Sequence, residues 1–77
     1  MSADKEKGSA AFELEGHEYI QLNQLLKVLG FVDSGGEANQ RISDGEVKVN
    51  NAVEQRKRKK LRAGDVVEFG SEKVTIR

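Results

Sequence analysis

The sequence predicts an α+β domain in which a two-helix unit packs on a small, mostly antiparallel sheet. Three observations predict it. Leu22, Leu25, Leu26 and Leu29 recur at the i, i+3, i+4, i+7 spacing that lines one helical face. Ser34-Gly35-Gly36-Glu37 opens a second helix a few residues later. From Val47 to Ile76, short apolar-polar alternations are separated by Gly and Asn, the pattern of half-buried strands. With 77 residues there is room for one domain. The chain has no Cys, so neither a disulfide nor a thiolate metal site supports it.

Residues 1–10 mix small and charged side chains without an apolar core. They are expected to form a disordered tail and do not read as a secretory signal. The domain itself is expected over 11–77. Phe12-Glu13-Leu14-Glu15 alternates like a strand, Gly16-His17 reads as a turn, and Glu18-Tyr19-Ile20 as a short return strand. The Leu-rich helix follows, ended by Gly30 in a left-handed conformation, with Phe31 and Val32 packing back under it. In the second helix, from about Gly35 to Asp44, the Ser34 hydroxyl accepts from the Glu37 amide while the Glu37 carboxylate reaches back to Ser34. Ala38 and Ile42 face inward, Arg41 lays its stem over the core, and Gly45 closes the helix. Asn50-Asn51 is a two-residue hairpin turn between Val47–Val49 and Ala52–Glu54, because Asn tolerates positive φ. Gln55 to Lys60 has no apolar partner before Leu61 and reads as an exposed loop. Gly64-Asp65 and Gly70-Ser71 turn the chain into and out of Val66–Phe69, and Lys73–Ile76 is the last strand.

Charge carries the functional signal. Residues 48–62 hold seven Lys/Arg against one Glu, a net of +6, and the remainder holds six against twelve, a net of −6. Arg56-Lys57-Arg58-Lys59-Lys60 are consecutive. Like charges packed this closely repel, and a polyanion relieves that repulsion while releasing its own counterions. A solvated charged turn is the plain alternative, and a nuclear-localisation or heparin-like run is another. Ser34, Gly35 and Gly36 are second candidates. A helix start presents free amides to a phosphate, although the capping box alone also explains Ser34 and Glu37. Lys27, on the polar side of the first helix, and Lys48, on the outward face of its strand, are secondary candidates.

Other chemistries are not expected. His17 is the sole His and has no Cys or second His to share a metal with. No nucleophile-base pair can be assembled, so neither an enzyme nor a cofactor or small-molecule site is expected. Tyr19 and the three Phe are expected in or near the core, which leaves no platform for stacking bases. No stretch approaches the roughly 18 apolar residues of a membrane span. A soluble, cytoplasmic monomer is expected.

Leu29-Gly30-Phe31, Ser34-Gly35-Gly36-Glu37-Ala38, Ile42, Gly45-Glu46-Val47-Lys48-Val49-Asn50 and Gly64-Asp65-Val66-Val67, taken in that order, resemble the S4 RNA-binding domain, or alpha-L motif. The chain is most similar to the short standalone bacterial-type members, over roughly 12–77. The resemblance implies binding to structured, often ribosomal, RNA through the start of the first helix, the second helix and the basic loop. On that pattern Asn39 joins Ser34, Gly35, Gly36 and Arg56 to Lys60 as a contact. There are departures. Many members carry Arg-Leu-Asp where this chain has Gln21-Leu22-Asn23, an Arg where it has Gly35, and a basic residue where it has Asn39. The second helix is less cationic than the pattern, so the weight falls on the loop, and recognition should depend on phosphates and RNA shape. A module that docks an acidic protein partner would use the same patch and is the alternative.

Overall fold

The computed structural model describes residues 9–77. Of the expected tail, residues 1–8 lie outside the described residues, while Ser9 and Ala10 already belong to the first strand. The strands are β1 (Ser9–Phe12), β2 (Ile20–Gln21), β3 (Val47–Val49), β4 (Ala52–Val53), β5 (Lys60–Leu61), β6 (Val66–Phe69) and β7 (Glu72–Ile76). The helices α1 (Leu22–Val28) and α2 (Gly35–Ser43) lie between β2 and β3. One sheet has the order β1-β7-β6-β3-β4, and β2 pairs with β5 in a separate two-stranded ribbon.

The expected N-terminal hairpin does not form. β1 runs parallel to β7, with Phe12 opposite Ile76, and its end is tied by Leu14 N to the Arg77 carbonyl (2.9 Å). Glu15 and Gly16, at φ 53° and 93°, end the extended run one residue after Leu14. Ile20 pairs instead with Leu61, forty-one positions along the chain. Alternation marks a half-buried strand but does not name its partner.

The helices form as their sequences dictate. Leu22, Leu25 and Leu26 are fully buried, and Leu29 packs against the same core. Gly30 adopts φ 79°, and its amide closes the end of α1 on the Lys27 carbonyl (3.0 Å). At α2 the Ser34 Oγ accepts from the Glu37 amide (3.1 Å). The Glu37 carboxylate reaches one residue further back than expected, to the Asp33 amide (3.0 Å). Arg41 donates to Glu46 (3.1 Å) and Glu37 (3.5 Å), so its head is held by two carboxylates.

The core lies between the helices and one face of the larger sheet. Val47, Val49, Val67, Val74 and Ile76 meet the α1 leucines, Ala38 and Ile42 there, and Phe31 stacks on Phe69 at 5.7 Å between ring centroids. Asn50 and Asn51 take φ 52° and 71°, the conformation of the two-residue hairpin. The Asn50 side chain also accepts from Val66 N (2.9 Å) and donates to Asp65 (3.1 Å), which fixes it as a turn residue. The side chain of Leu61, on β5, is fully buried and seats the smaller ribbon in the same core.

Candidate nucleic-acid interface

The basic loop is pinned by its backbone. α1 has no side-chain cap, because Gln21 at the N-cap position makes no such bond. Its first two amides are instead satisfied by the loop: Leu22 N donates to the Lys59 carbonyl (2.9 Å) and Asn23 N to the Lys57 carbonyl (3.0 Å). Lys59 N closes a turn on the Arg56 carbonyl (3.1 Å), and Lys60 then enters β5 opposite Gln21. Gln55 holds the other end through the Ser43 carbonyl (3.0 Å). With the main chain engaged inward, Lys57, Arg58 and Lys60 project their side chains into solvent, while Lys59 is half-buried.

The five cations of the run are not equivalent. Arg56 makes a bidentate pair with Glu54, at 2.8 Å from Nε and 3.2 Å from Nη2, and its own amide donates to the same carboxylate (3.0 Å). Residues i and i+2 of an extended segment share a face, so this pairing was open to sequence reasoning. Among the described residues, Lys57, Arg58, Lys59, Lys60 and Arg62 form no ion pair. Arg62 was not a sequence candidate. It follows the inward Leu61 on an extended segment and therefore points out beside Lys60. Arg56, Arg58, Lys59, Lys60 and Arg62 line one open depression of about 490 Å³.

Arg56 holds the Glu54 carboxyl below its ordinary value of 4.5, through the direct hydrogen bond first and the nearby cationic charge last. The folded value is the lower one, so the stabilisation is complete above 4.5 and disappears as the pH falls through the depressed value. The Glu54 titration followed by NMR should therefore have its midpoint below 4.5 in the wild type and move up toward it in Arg56→Ala. An unchanged midpoint in the variant would mean that the pair does not form in solution.

The helix candidates lie on the face that continues from the loop. Asn23, whose amide meets the Lys57 carbonyl, donates through Nδ2 to Asn39 Oδ1 (3.1 Å) and so joins α1 to α2. Two positions that depart from the family pattern thus brace each other. Lys27 is one helical turn beyond Asn23, and its Cδ lies 3.9 Å from where a Cβ on Gly35 would sit. Loop, Asn23–Asn39 pair, Lys27 and the start of α2 therefore form one strip. Within it the Ser34 hydroxyl is already engaged by Glu37 N, and Glu37, held below the ordinary carboxylate range by the Asp33 amide, keeps its negative charge. Lys48 does not join the strip. It lies between the buried Val47 and Val49, opposite Glu68 and Val53, and so faces away from the helices on the outer side of the sheet.

Tyr19 departs from expectation too. It is 36% exposed, with Lys60 Nζ 4.9 Å and Arg62 Cζ 5.7 Å from its ring centroid. On the β2–β5 ribbon Ile20 and Leu61 turn inward, so Tyr19 is carried to the outer face with the cations.

Two helices on a mixed sheet, with a cationic loop closing the start of the first helix, define an alpha-L module. The chain belongs to the S4 domain family, whose model matches residues 12–77. It is 43% identical to YbcJ of Escherichia coli (strain K12) over 67 residues, 87% of this chain and 96% of the relative. The solution structure of YbcJ, described as revealing an alpha-L motif involved in RNA binding, superposes with a TM-score of 0.66. That superposition covers 86% of this chain and 84% of the other at 42% identity. RlbA of Bacillus subtilis (strain 168), named a probable ribosome maturation protein, is 46% identical over 57 residues, 70% of this chain and 80% of its own. The 30S ribosomal protein S4e of Thermoplasma acidophilum shares the fold at a TM-score of 0.56 and 23% identity, over 74% of this chain and 30% of its own.

Proposed function

We propose that this protein binds structured ribosomal RNA by its phosphate backbone and acts without catalysis. Lys57, Arg58, Lys59, Lys60 and Arg62 neutralise phosphates, and Arg56 stays with Glu54 and shapes the loop. Lys27 and the amides of Gly35 and Gly36 take a further phosphate at the far end of the strip. Ser34 keeps its capping bond, Asn39 braces the helices, and Glu37 limits the anion affinity of that end.

One observation carries the reading: cations that form no ion pair among the described residues stand on a loop whose main chain is fixed by the amides of α1. Such a loop loses little conformational freedom on binding, so more of the electrostatic gain remains as affinity. The relatives support the class of ligand, since YbcJ is described through RNA binding and RlbA through ribosome maturation.

The purified chain should retard a folded ribosomal RNA fragment in a native gel, and nuclease treatment should release it from ribosomal fractions. Retention on those fractions after complete RNA digestion would favour an acidic protein partner instead.

A further inference from the structure

A second concave surface adjoins the basic depression and shares no cation with it. This cleft, of about 480 Å³, has Phe12, Leu14 and Ile20 as its apolar lining and Gln21 and Gln24 beside them. Glu13, Glu15 and His17 also line it, and among the described residues no Lys or Arg does. Its size is within the range of about 300–1,000 Å³ typical of small-ligand clefts. Tyr19 lines the cleft, while Lys60 and Arg62, which approach its ring, line the depression. The aromatic ring therefore stands between a cationic surface and a cleft of mixed apolar and polar lining that carries two carboxylates.

We propose that the cleft receives one unpaired nucleobase of the bound RNA, which stacks on Tyr19 while the flanking phosphates rest on Lys60 and Arg62. The proposal rests on the RNA-binding reading and adds to it a preference for RNA with an unpaired nucleotide beside a helix. Charge sorts the nucleotide between the two surfaces. A phosphate is repelled by Glu15 and by Glu13, whose charge Arg77 offsets in part at 4.0 Å, whereas a neutral base fits the Phe12, Leu14 and Ile20 side chains and offers its polar edge to the glutamines and carboxylates. Aromatic side chains are the usual stacking partners of unstacked bases in RNA recognition. The two cations near the ring place the phosphates one step from the stacked base.

The test uses the full chain and three RNA hairpins of one stem sequence: fully paired, with a single bulged adenosine, and with an abasic residue at the bulge. Fluorescence anisotropy at constant salt gives the affinities of the wild type, Tyr19→Leu and Tyr19→Phe. The wild type and Tyr19→Phe are expected to prefer the bulged adenosine over the abasic bulge about tenfold, as one stacked base contributes. Tyr19→Leu is expected to lose that preference, binding the adenosine and abasic bulges equally. Equal wild-type affinity for the adenosine and abasic bulges overturns the proposal and leaves phosphate binding intact. Failure of the wild type to bind any of the three overturns both readings.

Discussion

A variant carrying Lys57→Glu, Arg58→Glu and Lys60→Glu is expected to bind a folded ribosomal RNA fragment on the order of a hundredfold more weakly than the wild type. Each reversal removes a charge-assisted contact worth about 1 kcal/mol or more, and replaces it with repulsion. The three side chains are exposed and form no ion pair among the described residues, and the contact of Lys60 with the exposed Tyr19 ring contributes only about 0.5–1 kcal/mol, so the fold depends little on them. What the fold takes from this segment is the Lys57 and Lys59 carbonyls at the start of α1, which any residue supplies. Circular dichroism and the urea midpoint should therefore stay close to the wild-type values while binding fails. Wild-type affinity in the triple variant would remove the loop from the interface, and a collapsed midpoint would mean that the side chains also hold the structure.

Leu61→Ala is the second large effect, and it acts through stability. Leu61 is fully buried where the basic run ends, and it faces the same core as Leu22 and Ile42. Truncating a buried leucine costs about 3 kcal/mol, the lost transfer energy plus the cavity left behind. A domain of this length has a total of about 4–12 kcal/mol, so the loss is a large share of it. The consequence reaches the interface because Leu61 pairs with Ile20 and seats the ribbon that carries Lys60, Tyr19 and Arg62. Urea unfolding should show the midpoint falling with the slope unchanged. A loss under about 1 kcal/mol would show that this ribbon is not anchored through Leu61.

The local parts of the fold were legible in the sequence. Leucine spacing fixes α1, Ser34 and Glu37 fix the start of α2, and Asn50-Asn51 fixes a hairpin turn, because each signal is read within a few residues. Long-range pairings were not legible. Nothing in Ala10-Ala11-Phe12 names β7 as its partner, and nothing in Ile20 names Leu61. The basic run was visible as charge, but its division into one cation paired with a carboxylate and several with no ion pair among the described residues turns on Glu54 lying on the same face as Arg56. The support of the loop escaped the sequence for a different reason. It is made by main-chain carbonyls, which every residue carries, so no residue type signals it. Tyr19 was misplaced because an aromatic residue beside the apolar Ile20 reads as core, and the alternation of a two-residue strand is too short to set its face.

The central claim is that phosphates are neutralised by the cations of one fixed loop, and salt tests it most directly. Six contacts, five from Lys57, Arg58, Lys59, Lys60 and Arg62 and one from Lys27, should give a slope of log K against log salt concentration of about −4 to −5.5, of which the loop supplies most. Measured by anisotropy on a folded ribosomal RNA fragment, a slope in that range is the expected result. A slope near zero, or no association at low ionic strength, would contradict it.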